Sequence, residues 1–88
     1  MNDILSEPDT RAIEEILMRE LDVKREQLTA ESRLDQDFAA DSLTFTEIIM
    51  AIEDHFDLTV SEERWEQVKT VGQLYETVAE MLQARRRG

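Results

Sequence analysis

Apolar residues recur at helical spacing in several stretches of the chain, separated by polar turns. Ile13, Ile16, Leu17 and Leu21 share one face and predict a helix from about Glu7 to Leu21. Ser6 stands before it as an N-cap, and Pro8 falls in the first turn. Glu7 and Asp9 sit at the positive end of its dipole. A second helix is predicted from about Ser42 to Phe56. At 100° per residue, Phe45, Ile48, Ile49, Ile52 and Phe56 fall on one broad face, which should be core. Leu43, Glu47, Met50 and Asp54 fall on the opposite stripe. Two apolar residues interleaved with two acids on a solvent face read as a docking surface rather than a merely solvated one.

Asp57-Leu58-Thr59 breaks that helix. Ser61 then caps a short third helix to about Val68, and Thr70 caps a last helix carrying Val71, Leu74, Tyr75, Val78, Met81 and Leu82. Residues 22–40 have weak periodicity. Val23, Leu28, Leu34 and Phe38 should plug a long loop onto the core, and loops of that length are often functional. The pattern predicts an all-α fold. It is a small antiparallel helical bundle of three main helices and a short third one, with a long loop between the first two.

With 88 residues the chain reads as one domain over 1–88, with a core at about 7–84 and a basic tail at 85–88. Such a chain has a thin core. No apolar run approaches the roughly 20 residues that span a bilayer. Met1-Asn2-Asp3 does not begin a basic, then apolar, leader, so a cytoplasmic, monomeric protein without membrane insertion is expected. The net charge of -11, from 21 acidic and 10 basic residues, argues against nucleic-acid and anionic-membrane partners. It favours partners with basic patches. The acids concentrate between Asp41 and Glu66, where Arg64 is the only Lys or Arg. With no cysteine, thiol chemistry would need an added group. Asp35 and Asp37 do not open a calcium loop, because Ala40 and Thr46 stand at the positions that require glycine and glutamate. No metal site is expected.

Ser42 stands in the run Phe38-Ala39-Ala40-Asp41-Ser42-Leu43, where the acidic loop meets the second helix. Asp41 can cap that helix, which leaves the serine hydroxyl free and exposed beside Leu43. A free serine flanked by a possible recognition pair has the layout of a modification site. It is not a catalytic one. His55, the single histidine, lies more than three turns along the same helix, and no G-x-S-x-G elbow is present. The chain is expected to have no catalytic residue and to act through other enzymes.

Asp41-Ser42-Leu43, followed by Glu47-Ile48-Ile49-Met50-Ala51-Ile52-Glu53 and Phe56-Asp57, resembles the acyl carrier proteins of fatty-acid and polyketide synthesis. The resemblance extends through Lys69-Thr70-Val71 into the last helix. It implies that Ser42 carries 4′-phosphopantetheine, delivered from coenzyme A by a phosphopantetheinyl transferase that supplies magnesium and the base. Asp41 and Leu43 would frame the attachment point, and the arm's thiol would hold acyl groups as thioesters. Glu47, Met50, Glu53 and Asp54 match partner-facing positions, where acyl-loading and acyl-transfer enzymes dock basic patches. Phe45, Ile49, Ile52, Val60, Trp65 and Val68 are the candidate acyl-pocket residues.

The chain departs from that family in three places. Phe38-Ala39 stands where Leu-Gly is common, and Thr44 replaces an often acidic residue. Trp65 occupies a tunnel position that is usually small, where it would either fill the tunnel or enlarge the core. These departures point to a specialised carrier. Two other readings remain: an amino-acyl or aryl carrier of the D-alanyl or peptidyl kind, and an unmodified acidic helical adaptor.

Overall fold

The computed structural model describes residues 5–87, with side chains to Arg86. Met1-Asn2-Asp3, Gly88 and the Arg87 side chain, on which parts of the leader and tail expectations fall, lie outside the described residues. Four α-helices follow one another: α1 (Glu7–Leu21), α2 (Ser42–Phe56), α3 (Glu62–Glu66) and α4 (Val71–Arg87). A single turn of 3-10 helix, Arg25–Gln27, interrupts the long connection between α1 and α2.

The helix ends follow from local chemistry. At the start of α1 the Asp9 N–H donates to Ser6 Oγ at 3.2 Å, and the Ser6 N–H donates to Asp9 Oδ2 at 3.3 Å. This reciprocal box satisfies two donors that a helix start otherwise leaves bare. α1 and α2 both end at an aspartate in the left-handed region, Asp22 at φ 55° and Asp57 at φ 54°. Aspartate tolerates that conformation better than most side chains.

The core is built from one stripe of each long helix. Ile13 and Leu17 of α1, Ile48 and Ile52 of α2, and Val71, Leu74 and Val78 of α4 are completely enclosed. Trp65 and Val68 are buried with them. Truncating one of the enclosed aliphatics to alanine costs about 2–5 kcal/mol in such cores. That is a large share of the stability of so small a domain.

The long connection is fastened to the start of α4 by its main chain. The Gly72 N–H donates to Ala30 O at 2.9 Å, and the Val71 N–H to Ser32 O at 3.0 Å. In return, the Leu34 N–H donates to Lys69 O at 3.0 Å. The loop carbonyls thus satisfy the first N–H groups of α4, which no helix can satisfy for itself. A Cβ at position 72 would lie 3.0 Å from Ala30 O, so the close approach calls for glycine. Leu34 drives the same contact from the loop side and is buried, while Val23, Leu28 and Phe38 are half-buried.

Three expectations need correction. α3 stops at Glu66 rather than near Val68. Gln67 and Val68 continue only as a tight turn, with the Val68 N–H donating to Trp65 O at 3.0 Å. Phe45 and Ile49, placed on the core face by periodicity, are only half-buried, because the short α3 does not reach far enough to cover them. Arg85, placed by the sequence in a basic tail beyond the core, instead reaches back across the fold. Its Nη1 donates to Phe56 O and Asp57 O, both at 2.7 Å, at the C-terminus of α2. A cation is well placed there against the negative end of the helix dipole.

Candidate functional site

Asp41 is the N-cap of α2: its Oδ1 accepts the Thr44 N–H at 2.8 Å. That bond, made to the charged form, holds the Asp41 carboxyl below the usual aspartate value, with a further contribution from the Thr44 side chain. Because Asp41 does the capping, Ser42 is left as the first residue of α2 with its hydroxyl exposed. Among the described residues no hydrogen bond engages that hydroxyl; only the Ser42 carbonyl is used, by Thr46 Oγ1 at 2.8 Å. His55 lies at the far end of α2, about 20 Å along the helix axis, and is exposed. Among the described residues no histidine is within reach of Ser42 and no side chain is hydrogen-bonded to its hydroxyl.

Two grooves run from Ser42. One, of about 270 Å³, lies between the loop and α3 and is lined by Leu34, Ala40, Phe45, Trp65, Val68 and Lys69, among others. The other, of about 490 Å³, lies between α2 and α3, where Phe45, Ile49, Val60 and Trp65 form its apolar wall. Both share Ser42, Phe45, Trp65 and Glu66. Of the six candidate pocket residues, Phe45, Ile49, Val60, Trp65 and Val68 line one groove or both. Ile52 lines neither and is sealed in the core at 0% exposure. The half-burial of Phe45 and Ile49 is what opens the grooves: a fully packed α2 would leave no space beneath Ser42.

The outer face of α2 carries the expected stripe. Leu43 is 67% exposed and Met50 62% exposed, and Glu47 and Asp54 are exposed with them. Glu47 faces Glu20 of α1, and the shared hydrogen bond and repulsion between the two carboxyls raise its pKa. Glu20 was not singled out from the sequence, because only the packing of α1 on α2 brings it beside the stripe. Glu53 is different from the other candidates. Its carboxylate is half-buried and its Oε2 accepts the Val60 N–H at 2.9 Å. Glu53 therefore ties α2 to the turn before α3 as well as bordering the second groove.

An exposed, uncapped serine at a helix start, above an apolar groove, fits a covalently attached arm. The hydroxyl is accessible to a modifying enzyme, and the groove offers shelter for a flexible apolar group. Lys69 lines the first groove together with Ser42. Among the described residues no helix is long and apolar enough to cross a membrane, and no cluster of three or more histidine, cysteine or carboxylate side chains is arranged to hold a metal ion.

The family model for the phosphopantetheine attachment site matches residues 11–78. The chain is 39% identical over 59 residues to the acyl carrier protein of Buchnera aphidicola subsp. Acyrthosiphon pisum, covering 67% of this chain and 74% of that protein. It is 37% identical over 60 residues to the acyl carrier protein of Wolinella succinogenes, covering 68% of this chain and 79% of that one. A solved structure assigned to an acyl carrier protein of Mycobacterium tuberculosis superposes with a TM-score of 0.74 at 36% identity, covering 80% of this chain and 93% of that one. With the matched segment spanning most of the chain and enclosing both the serine and its grooves, the protein belongs to the acyl carrier family, whose cofactor is 4′-phosphopantetheine.

Proposed function

We propose that Ser42 Oγ is the attachment point of the arm, and that this chain ferries acyl thioesters among enzymes without catalysing a reaction itself. The observation that carries the reading is the division of labour at the start of α2. Asp41 takes the capping bond, and Ser42 keeps an unengaged hydroxyl at the rim of both grooves. The bound arm would supply the thiol that the chain lacks. Attachment joins Ser42 Oγ to the phosphorus next to the pantetheine as the phosphoanhydride of coenzyme A breaks and adenosine 3′,5′-bisphosphate leaves. The serine proton passes to a base on the transferase, since no side chain among the described residues is hydrogen-bonded to the hydroxyl.

The remaining residues divide the other tasks. Asp41 and Leu43 frame the serine for the phosphopantetheinyl transferase. Glu47, Met50 and Asp54 present an acidic, partly apolar face to client enzymes with basic docking patches. Phe45, Ile49 and Val60 shelter the acyl chain. Glu53 contributes to docking only through its free oxygen, because the other is held by Val60. A single chain in solution, working in the cytoplasm, completes the reading.

Incubation with coenzyme A and a broad-specificity phosphopantetheinyl transferase tests it. Mass spectrometry should show one adduct, and Ser42→Ala should remove it while leaving the helical circular-dichroism spectrum intact. No adduct on the parent chain would leave an acidic adaptor as the better account, and an adduct that survives Ser42→Ala would move the attachment point to another residue.

A further inference from the structure

Trp65 is the buried residue of the short helix α3, and it is only 4% exposed. Its indole therefore fills the space between α3 and the rest of the core. The same side chain walls both grooves that lead from Ser42. None of the completely enclosed core residues, Ile48, Ile52 and Leu74 among them, lines either groove. Both clefts thus stop at the layer of Trp65, Val60 and Val68 and do not continue inward. Protein cores are packed to crystal-like density, so a hydrocarbon chain enters one only where a side chain leaves room.

A tethered group is then left on the open wall, and that wall is short. On the α2 side of the second groove its apolar part is Phe45 and Ile49, four residues apart and so about 6 Å along the helix axis. Beyond them come Met50, 62% exposed, and the Glu53 carboxylate, with Glu62 and Glu66 also bordering the groove. An extended hydrocarbon advances about 1.3 Å per carbon, so about five or six carbons cover the apolar stretch. Further methylenes would lie in water or against carboxylates, whose lost hydration offsets the gain from burial.

We propose that Trp65 is a specificity-determining residue: its indole keeps the tethered group out of the core, which makes this a carrier of short acyl groups, of about six carbons or fewer. The inference rests on the reading of Ser42 as the attachment point and names the class of cargo for it.

The phosphopantetheinylated, butanoyl, hexanoyl and decanoyl forms should be compared, with the Ser42 adduct verified by mass in each. The melting temperature should rise by up to about 3–6 °C per methylene as far as hexanoyl, and by less than about 1 °C per methylene from hexanoyl to decanoyl. Fluorine NMR of chains fluorinated at their last carbon, with a neutral water-soluble relaxation agent, reads exposure directly. The end of the decanoyl chain should be relaxed more strongly than the end of the butanoyl chain. Trp65→Leu leaves room where the indole stood, so its decanoyl form should gain stability over its hexanoyl form and hide its terminal fluorine. If that variant does not fold, the series on the parent chain still decides. Equal gains per carbon up to decanoyl with a hidden terminus, no gain from any acyl group, or a folded Trp65→Leu that behaves as the parent overturns the proposal while leaving the attachment at Ser42 standing. Failure to form the adduct overturns the Ser42 reading and this inference with it.

Discussion

Glu53 Oε2 accepts the Val60 N–H at 2.9 Å across the turn that joins α2 to α3. The bond is part-buried, and its acceptor is a carboxylate, so it belongs to the stronger class of protein hydrogen bonds. Glu53→Ala should lower unfolding stability by about 1–3 kcal/mol, read by urea denaturation. A loss below a few tenths would mean that the Val60 N–H finds water without cost. Glu53→Lys would mix this structural defect with any docking defect, so it is a poor probe of docking.

Glu47 is the better probe, because it is exposed on the stripe and its neighbour on α1, Glu20, is another carboxyl, so losing it removes no opposite-charge partner. Glu47→Lys should change stability by no more than about 0.5 kcal/mol. It should slow acyl transfer to a cognate enzyme, with the largest effect at low salt. Unchanged transfer kinetics across a salt series would remove this face from the docking surface.

Two carboxyls near Ser42 respond to acid in opposite senses. Asp41 has a lowered pKa because Thr44 donates to its charged form. Its contribution is complete above the ordinary aspartate value and is lost as pH falls through the depressed one. Glu47 has a raised pKa because Glu20 faces it. The folded state therefore gains relative stability as pH falls through that raised value towards the ordinary glutamate value. Urea midpoints across a pH series should rise slightly on mild acidification and then fall at lower pH. Glu47→Gln should flatten the rise, and Asp41→Asn should flatten the part of the fall that comes from the cap.

Ala39 adopts φ 55°, the left-handed region, just before the Ala40-Asp41-Ser42 run. A Cβ there costs about 1–2 kcal/mol, and a glycine would recover part of it against the entropy of a looser unfolded chain. Ala39→Gly should therefore raise stability by about 0.5 kcal/mol in chemical denaturation. A loss instead would show that the Ala39 methyl makes contacts worth more than its strain.

Arg85 donates to Phe56 O and Asp57 O and so holds the end of α4 against the end of α2. Arg85→Ala should cost about 1–2 kcal/mol, and Arg86→Ala, whose side chain makes no such bond in the structure, should cost little. Equal effects would point to general charge rather than the clasp.

The parts of this fold that repeat along the chain were legible in the sequence. The bounds of α1 and α2, the Ser6 and Asp41 caps, and the exposed Leu43–Glu47–Met50–Asp54 stripe all follow from spacing within one helix. What was not legible depends on residues far apart in the chain. A helical wheel places Phe45 and Ile49 inward, but only the short reach of α3 decides that they become groove walls. Glu53 looked like a surface acid until the Val60 N–H was brought to it. Arg85 looked like a tail cation because its partners lie 28 and 29 residues away. The bonds from the loop to Val71 and Gly72 use main-chain atoms and leave no side-chain signature beyond the glycine itself.

Ser42 stands at the lip shared by two clefts rather than inside either. On the proposed reading, a thioester hung from it has two habitats. Folded inward, it is shaded from hydroxide and from stray amines. Swung outward, it is available to its clients and to hydrolysis alike. The lifetime of the cargo and the speed of its hand-over are then set by one equilibrium, and anything that deepens the inward position lengthens storage at the expense of delivery.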